Sequence, residues 1–542
     1  IARKRLCIVG TGAAGLPTLR HSLLYDLDVT CYESQHDIGG VWRYKPEQTE
    51  NTSVMKSTVM NTSKEFSCYS DFPPSNSSPL HWHNTQCIQY MREYIDHFDL
   101  LRHIKFMHRV DNVQRSEDYN TTGCWDITVT VLKTNNSWTE RFDYVLLANG
   151  HQYHPNLPKP WPGQDQFTGE VIHSRDYKDS NGYEGRVVVV VGMGNSAIDA
   201  AVELSRVAKQ TYLVSRSGAW IFNRMHDYGR AIDCVENCKM TQYYRRYTPR
   251  WLAQYMAKRR LNLQFDHKSF GVEPQHGVGG ASPTVNDQLA RRIGCGSLKV
   301  KPAISRFTER GVVFEDGSHV NNVDSVILGT GFRIVFPLLE RGKLMNVKDN
   351  DADIYKYMFP TVCKHDTLAF IGHVQAILMP IAELQARVAL EVFTGNAKLP
   401  GPDERLRDID RVRKAQKSQY KDGVRHTICC DMMTYMDEIA PIIGVLPPAW
   451  YSLLPSDPLL ALHLLLAPYA PYVYRLRGPH AWSGARQAIL TIEGRLEKST
   501  GEQNTGSIFS KKNPAFVTLL YVVFASLGLF TLLVYHLVRL IP

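Results

Sequence analysis

The sequence predicts an α/β fold in which two interleaved dinucleotide-binding (Rossmann-like) domains carry an inserted helical region and a C-terminal transmembrane helix. Three observations predict it. Two strand–glycine–helix turns occur in one chain, RLCIVGTGAAGL at 5–16 and VVVVVGMGNSAIDA at 187–200. Two later apolar strands, FDYVLLANG (142–150) and DSVILGTGF (324–332), end in small residues and glycine, as exit and re-entry strands of an interrupted sheet would. Finally, PAFVTLLYVVFASLGLFTLLVY (514–535) runs without a charge.

The first turn has the spacing G-x-G-x-x-G at Gly10, Gly12 and Gly15, with Thr11, Ala13 and Ala14 between them. The strand LCIV precedes it, and the next strand, DVTCYE, ends at Glu33, where a carboxylate can accept hydrogen bonds from ribose hydroxyls. IGGVWRY (38–44) follows; Gly40 permits close backbone approach, and Val41 and Trp42 offer an apolar wall. The second turn reads Gly192, Gly194, Asn195, Ser196, Ala197, and its following strand ends in Ser215 and Arg216 rather than in an acid. A carboxylate there would repel a 2′-phosphate, whereas a guanidinium and a hydroxyl would bind one. The first turn therefore suits a dinucleotide with free ribose hydroxyls and the second suits NADPH, an arrangement that points to FAD at the first.

These elements divide the chain into an FAD-binding part at 1–155, an NADPH-binding part at 156–213 and a membrane-facing insertion at 214–295. A second NADPH-binding part follows at 296–330 and a second FAD-binding part at 331–445. The membrane-proximal region is 446–512 and the tail anchor 513–542. Within the insertion, residues 239–260 hold seven basic residues and no acidic one. TPRWLAQYMAKRRL places Trp251, Leu252, Tyr255 and Met256 on one helical stripe beside that cationic face. The stripe fits a headgroup interface and a core-covering helix equally. LLALHLLLA (459–467) is too short to span a bilayer.

Bulk properties narrow the class. At 542 residues, more than one core is expected. The net charge of +9 comes without zinc-finger spacing or an RNA-binding sheet motif, so no nucleic-acid partner is expected. The 22 uncharged residues at 514–535 would make a helix of about 33 Å. With Lys511 and Lys512 ahead of them, they predict a membrane anchor whose catalytic bulk faces the cytosol. The eleven cysteines show no C-x-x-C pair, which implies reduced thiols. The chain enters its first strand within a few residues, so no secretory leader is expected before it. The sequons at Asn51, Asn61, Asn76, Asn120 and Asn135 are then expected to be unmodified.

FTGEVIHSRDY (167–177) fits F-x-G-x-x-x-H-x-x-x-Y through Phe167, Gly169, His173 and Tyr177, just ahead of the second turn. This resembles the fingerprint of the flavin-containing monooxygenases. MNTSKEFSCYSDFP (60–73), VFEDGS (313–318) and GPHAWSGARQAIL (478–490) are similar to segments of the animal microsomal members, as is the hydrophobic tail. The chain departs from the family in GTGF (329–332), where ATGY is commoner, and in much of 222–285, within the insertion that the resemblance implies helps shape the substrate entrance. Tyr177-Lys178 stands where related Baeyer–Villiger enzymes carry Trp-Pro.

The resemblance implies that NADPH reduces the flavin and that O₂ then forms a C4a-hydroperoxide, which NADP⁺ shields until a soft nucleophile attacks it. It implies N- and S-oxygenation of small lipophilic, xenobiotic-type substrates at the endoplasmic reticulum membrane and leaves homo-oligomer formation open. Asn61, in N-T-S-K-E, is implied as the catalytic amide beside flavin and NADP⁺, with Met60 and Thr62 in the same shell. Asn195 and Ser196 are expected at the NADPH phosphates, Arg216 and Arg224 (in FNRMHDYG) at the 2′-phosphate, and Gln375 (in FIGHVQA) close to the flavin. His173 and Tyr177 are expected to be architectural, and no metal is expected. Baeyer–Villiger oxidation of ketones, an NADPH oxidase releasing H₂O₂ and a nucleotide-binding scaffold without catalysis remain as alternatives.

Overall fold

The structure is a computed structural model that describes residues 2–47, 52–226, 229–420 and 426–499. The chain divides into two compact units. The larger comprises Ile1–Asn61, Trp82–Asn223 and Gln254–Ile443, and the smaller comprises Thr62–His81, Arg224–Ala253 and Gly444–Pro542.

Two five-stranded parallel sheets organise the larger unit. In the first, the strands lie in the order Leu368–Phe370, Tyr144–Leu147, Lys4–Val9, Leu27–Tyr32, Ile104–Lys105. In the second, the order is Glu170–His173, Ser325–Leu328, Val187–Val191, Gln210–Val214, Leu298–Lys301. A parallel strand covered on both faces reads as a continuous apolar run rather than an alternating one. The five valines of Val187–Val191 show this, and Val188, Val189 and Val190 are fully buried. The strands of 142–150 and 324–332 pair directly beside the two glycine-turn strands, at Ile8↔Leu146 and Val190↔Ile327. An antiparallel sheet of His108–Arg115, Trp125–Val131 and Asn136–Phe142 joins the first core through Trp125, Ile127 and Val129.

Helix Leu378–Phe393 is buried along almost its whole length. It is wedded to the first glycine-turn helix, Gly15–Ser22, by a fully buried His21 Nε2–Glu383 Oε1 contact of 3.0 Å. Its Gln385 accepts from the Gly372 N–H at 2.7 Å and donates to the Tyr435 hydroxyl at 2.7 Å.

The smaller unit is helical and built round buried ion pairs. Arg495 donates twice to fully buried Glu65, at 2.8 Å from both Nε and Nη2, while the Tyr472 hydroxyl donates to the same carboxylate at 2.9 Å. Arg230 makes a bidentate pair with Glu493, both bonds 2.8 Å. Removing one partner of such a pair strands a buried charge, which is why they occur complete. The apolar run at 459–467 forms helix Pro458–Leu466, whose inner face packs on Cys238, Met240 and Tyr243.

The stripe at 248–261 falls on helix Arg250–Gln264 and is mostly solvent-facing, with Trp251 72% and Tyr255 59% exposed. Among the described residues no helix is long and apolar enough to cross a membrane. The stretch 514–535 lies outside the described residues.

Candidate active site

The first turn starts where strand Lys4–Val9 ends. Gly10 has φ +100°, open to glycine and hostile to a side chain. A Cβ on Gly15 would lie 1.9 Å from the Gly10 carbonyl oxygen, so the helix can begin against the strand only because Gly15 has none. Gly12 faces Gly40 across the loop; a Cβ on Gly40 would stand 3.1 Å from the Gly12 Cα, so the pair leaves a backbone-lined slot. Thr11 N–H and Oγ1 both donate to Glu33 Oε2 at 2.9 Å, and Gln35 N–H donates to Oε1 at 2.8 Å. Glu33 is thus locked beside the turn. Ala13 and Ala14 are buried under it, and Val41 accepts from the Val54 N–H at 2.8 Å, with Trp42 partly buried alongside.

The second turn repeats this logic with one change. Gly192 has φ +123°, and a Cβ there would meet the Gly329 carbonyl oxygen at 2.4 Å. Ala197 packs so tightly on Gly329 that a Cβ on the latter would fall 2.4 Å from its methyl. Gly194 faces open space and is the N-cap of helix Asn195–Leu204, which has no side-chain cap. Its first-turn N–H groups are therefore free for an anion. Ser196 is exposed there. Ser215 Oγ accepts from the Gly218 N–H at 2.8 Å, forming a tight turn with Arg216 exposed at its tip.

Two connections between the sheets were not visible in the sequence. The first is a strap at 282–286. Asn195 Oδ1 accepts from the Val285 N–H at 2.8 Å, and Thr284 Oγ1 donates to the Met193 carbonyl at 2.9 Å. At the other end, Gln375 Nε2 donates to Ser282 Oγ at 3.1 Å, and the Ser282 N–H donates to His426 Nε2 at 3.1 Å. Asn195 and Gln375, both read as cofactor contacts, thus hold opposite ends of one segment. The Asn195 side chain is engaged by the strap. The second connection is Lys178, whose buried Nζ donates to Ser53 Oγ at 2.9 Å and to the Arg175 carbonyl at 2.8 Å. Burial pulls its pKa below the ordinary lysine value.

The fingerprint residues are packed rather than poised for chemistry. Tyr177 is 1% exposed in the core of the second sheet, and His173 Nδ1 accepts from the Arg175 N–H at 3.1 Å. Asn61 lies half-buried on strand Val59–Ser63, next to buried Met60. In the smaller unit, Thr62 Oγ1 is 2.6 Å from Ser67 Oγ, and the Arg224 carbonyl accepts from the Ile232 N–H.

At the carboxyl edge of the first sheet, where ligands of open α/β sheets bind, lies a small cleft. Asn149, His151, Phe336, Phe370 and His373 line it. The two imidazoles meet edge to face, ring centroids 5.6 Å apart. Burial lowers His151 to about 4, and burial plus the neighbouring ring lowers His373 to about 3, so both are neutral at physiological pH. His151 Nδ1 is buried with no hydrogen-bond partner among the described residues. A polar ligand edge would satisfy it, and with the glycine slot this makes the edge fit a flavin dinucleotide. All eleven cysteines are free thiols.

Two glycine turns on two tethered parallel sheets fit an oxidoreductase of the two-dinucleotide class. Residues 3–537 match the family described as flavin-binding monooxygenase-like. Flavin-containing monooxygenase 5 of Oryctolagus cuniculus is 41% identical over 502 residues, covering 92% of this chain and 93% of that protein. Human flavin-containing monooxygenase 2 is 37% identical over 500 residues, covering 91% and 92%. The chain belongs to the flavin-binding monooxygenase-like family. Two solved structures share its fold. The S-allyl-L-cysteine S-oxygenase of Allium sativum has a TM-score of 0.63 at 21% identity, over 90% of this chain and 99% of that one. A cyclohexanone monooxygenase from Rhodococcus has 0.58 at 14%, over 82% and 98%.

Proposed function

We propose that this protein is an NADPH- and O₂-dependent flavin monooxygenase that oxygenates nitrogen or sulfur in small lipophilic molecules. The observation that carries the reading is the pairing of unlike turns: one closed by Glu33, the other by exposed Arg216, with Ser282–Asn286 and Lys178 tying their sheets together. When bound, FAD and NADPH supply hydride transfer and the activation of O₂.

The chain's own residues bind, orient and exclude water. Gly10, Gly12 and Gly15 let the first pyrophosphate approach the backbone, and Glu33 accepts from the ribose. The helix opening at Asn195 takes the second pyrophosphate through its N–H groups, and Arg216 takes the 2′-phosphate. Phe336 and Phe370, with the two neutral imidazoles, give the cleft a dry wall that adds no charge near the reacting atoms. The Asn61 amide can donate to a developing oxyanion and accept from a carboxamide without contributing charge.

The finer parts of the reading rest on the sequence: attachment through 514–535 to the endoplasmic reticulum membrane, the catalytic portion in the cytosol, and the exposed Trp251 and Tyr255 beside basic residues at the headgroup level. The domain limits at 155, 213, 295, 330, 445 and 512 belong to it as well. Replacing Arg216 by Ala tests the cofactor assignment. Loss of one charge-assisted contact, about 1.5–3 kcal/mol, should raise the NADPH KM roughly 10- to 100-fold and leave that for NADH nearly unchanged. Equal effects on both would refute it.

A further inference from the structure

A second pocket shares His373 with the flavin-side cleft. His373 is 6% exposed and meets the rings of His151, Phe336 and Phe370, with no hydrogen-bond partner among the described residues. An imidazole without a hydrogen-bond partner among the described residues, on a wall shared by two pockets, is an open donor–acceptor for whatever passes.

The second cavity has its own chemistry. The Tyr357 and Tyr435 rings lie 5.7 Å apart. Their hydroxyls are already engaged, Tyr357 accepting from Gln416 Nε2 at 2.9 Å and Tyr435 donating to the Lys356 carbonyl at 2.6 Å. What these side chains have left to offer is aromatic surface. Ile354, Ile409 and Val412 complete an apolar floor.

The rim is charged and unbalanced. Asp408 and Glu438 share Lys356, at 2.9 and 3.1 Å, and share Arg411, at 2.7 and 3.4 Å. Asp351 and Asp353 share Arg413, at 2.6 and 2.8 Å. Of these groups Asp351, Asp408 and Glu438 line the pocket together with Lys356 and Arg413, three carboxylates to two cations, a surplus of one negative charge. The backbone here is held in the left-handed region at three non-glycine positions, Asn350 (φ +60°), Lys356 (φ +51°) and Tyr357 (φ +57°). Such conformations are costly and concentrate where a surface is shaped for use.

Aromatic faces, an apolar floor and a surplus negative charge together select a lipophilic ammonium compound over a carboxylate or a sugar. We propose that this cavity is the admission chamber for lipophilic amines in their protonated form, and that they pass His373 to reach the flavin-side cleft. The inference rests on the monooxygenase reading for what happens beyond His373, but not for binding in the chamber.

The test uses the FAD-loaded full chain without NADPH, titrated calorimetrically near neutral pH with dimethylhexylamine and with its neutral counterpart methyl hexyl sulfide. Glu438→Gln should weaken amine binding about three- to tenfold and leave the sulfide unmoved. Ile409→Trp should fill the floor and weaken amine binding about tenfold or more; Val412→Trp serves if that variant does not fold. Equal shifts for both probes in Glu438→Gln, or unchanged amine binding in the tryptophan variant, overturn the proposal. Oxygenation of the two probes by the unaltered enzyme with NADPH is read separately. If neither is oxygenated while the amine still binds with the expected charge dependence, the monooxygenase reading fails and the chamber stands.

Discussion

Gly15→Ala perturbs the first turn at its tightest point. The added methyl would start 1.9 Å from the Gly10 carbonyl oxygen and 2.7 Å from its carbon, both backbone atoms that no rotamer change can move. Real Cβ atoms keep at least 3.0 Å from such neighbours, so helix Gly15–Ser22 would have to withdraw by about 1.1 Å. The helix is not free to do so, because its His21 is pinned to Glu383 at 3.0 Å in a fully buried contact. Overpacking of this kind costs about 1–3 kcal/mol, and the slot between Gly12 and Gly40 deforms with the helix. The expected outcome is a protein that folds with a lowered urea midpoint and binds FAD at least tenfold more weakly, by the visible flavin absorbance retained after gel filtration. NADPH binding, at the other sheet, should change far less. A Gly15→Ala protein with full flavin content and unchanged stability would refute the packing argument.

Lys178→Met removes the tether to Ser53 and leaves a buried hydroxyl and the Arg175 carbonyl without their donor. A loss of about 1–3 kcal/mol in urea unfolding is expected, and unchanged stability would show that the tether is dispensable. His373, held at about 3 against an ordinary value near 6.5, stays neutral in the fold while the unfolded chain takes up a proton. The fold therefore has this contribution in full above about 6.5 and loses it as pH falls toward 3, at about 1.4 kcal/mol per unit. His373→Leu should flatten the fall in stability between neutral and mildly acid pH, and an unchanged slope would count against the buried neutral state. Asn61→Ser should leave FAD bound while oxygenation falls at least tenfold; loss of flavin instead would make Asn61 structural.

Both glycine turns were legible in the sequence because phosphate cradling demands glycine at fixed local spacing, and steric demands at Gly10, Gly15 and Gly192 confirm why. Neighbouring strands were legible too, since a strand buried on both faces announces itself as an apolar run. The strap was not legible. Ser282 and Thr284 are ordinary polar residues, and their partners Gln375 and Met193 lie about ninety residues away in opposite directions along the chain. Lys178 registered only as a departure from Trp-Pro, although its amine bridges two parts of the fold. The helix at Trp251 had two readings of equal standing, because periodicity gives the face and not its neighbour; Trp251 and Tyr255 stand exposed, while Leu261 near the end of the same helix is buried. His373 carried no signal at all: its interest comes from lining two pockets.

In the proposed reaction one atom of O₂ is delivered to a soft nucleophile at the expense of NADPH. Incubation of the full chain with NADPH, ¹⁸O₂ and a tertiary amine, a thioether and an aliphatic ketone in parallel, with mass analysis of the products, tests it directly. N-oxide and S-oxide, each carrying a single heavy oxygen, are expected, one formed per NADPH consumed. Unlabelled oxides, ester from the ketone alone, or NADPH consumption matched only by hydrogen peroxide would contradict it.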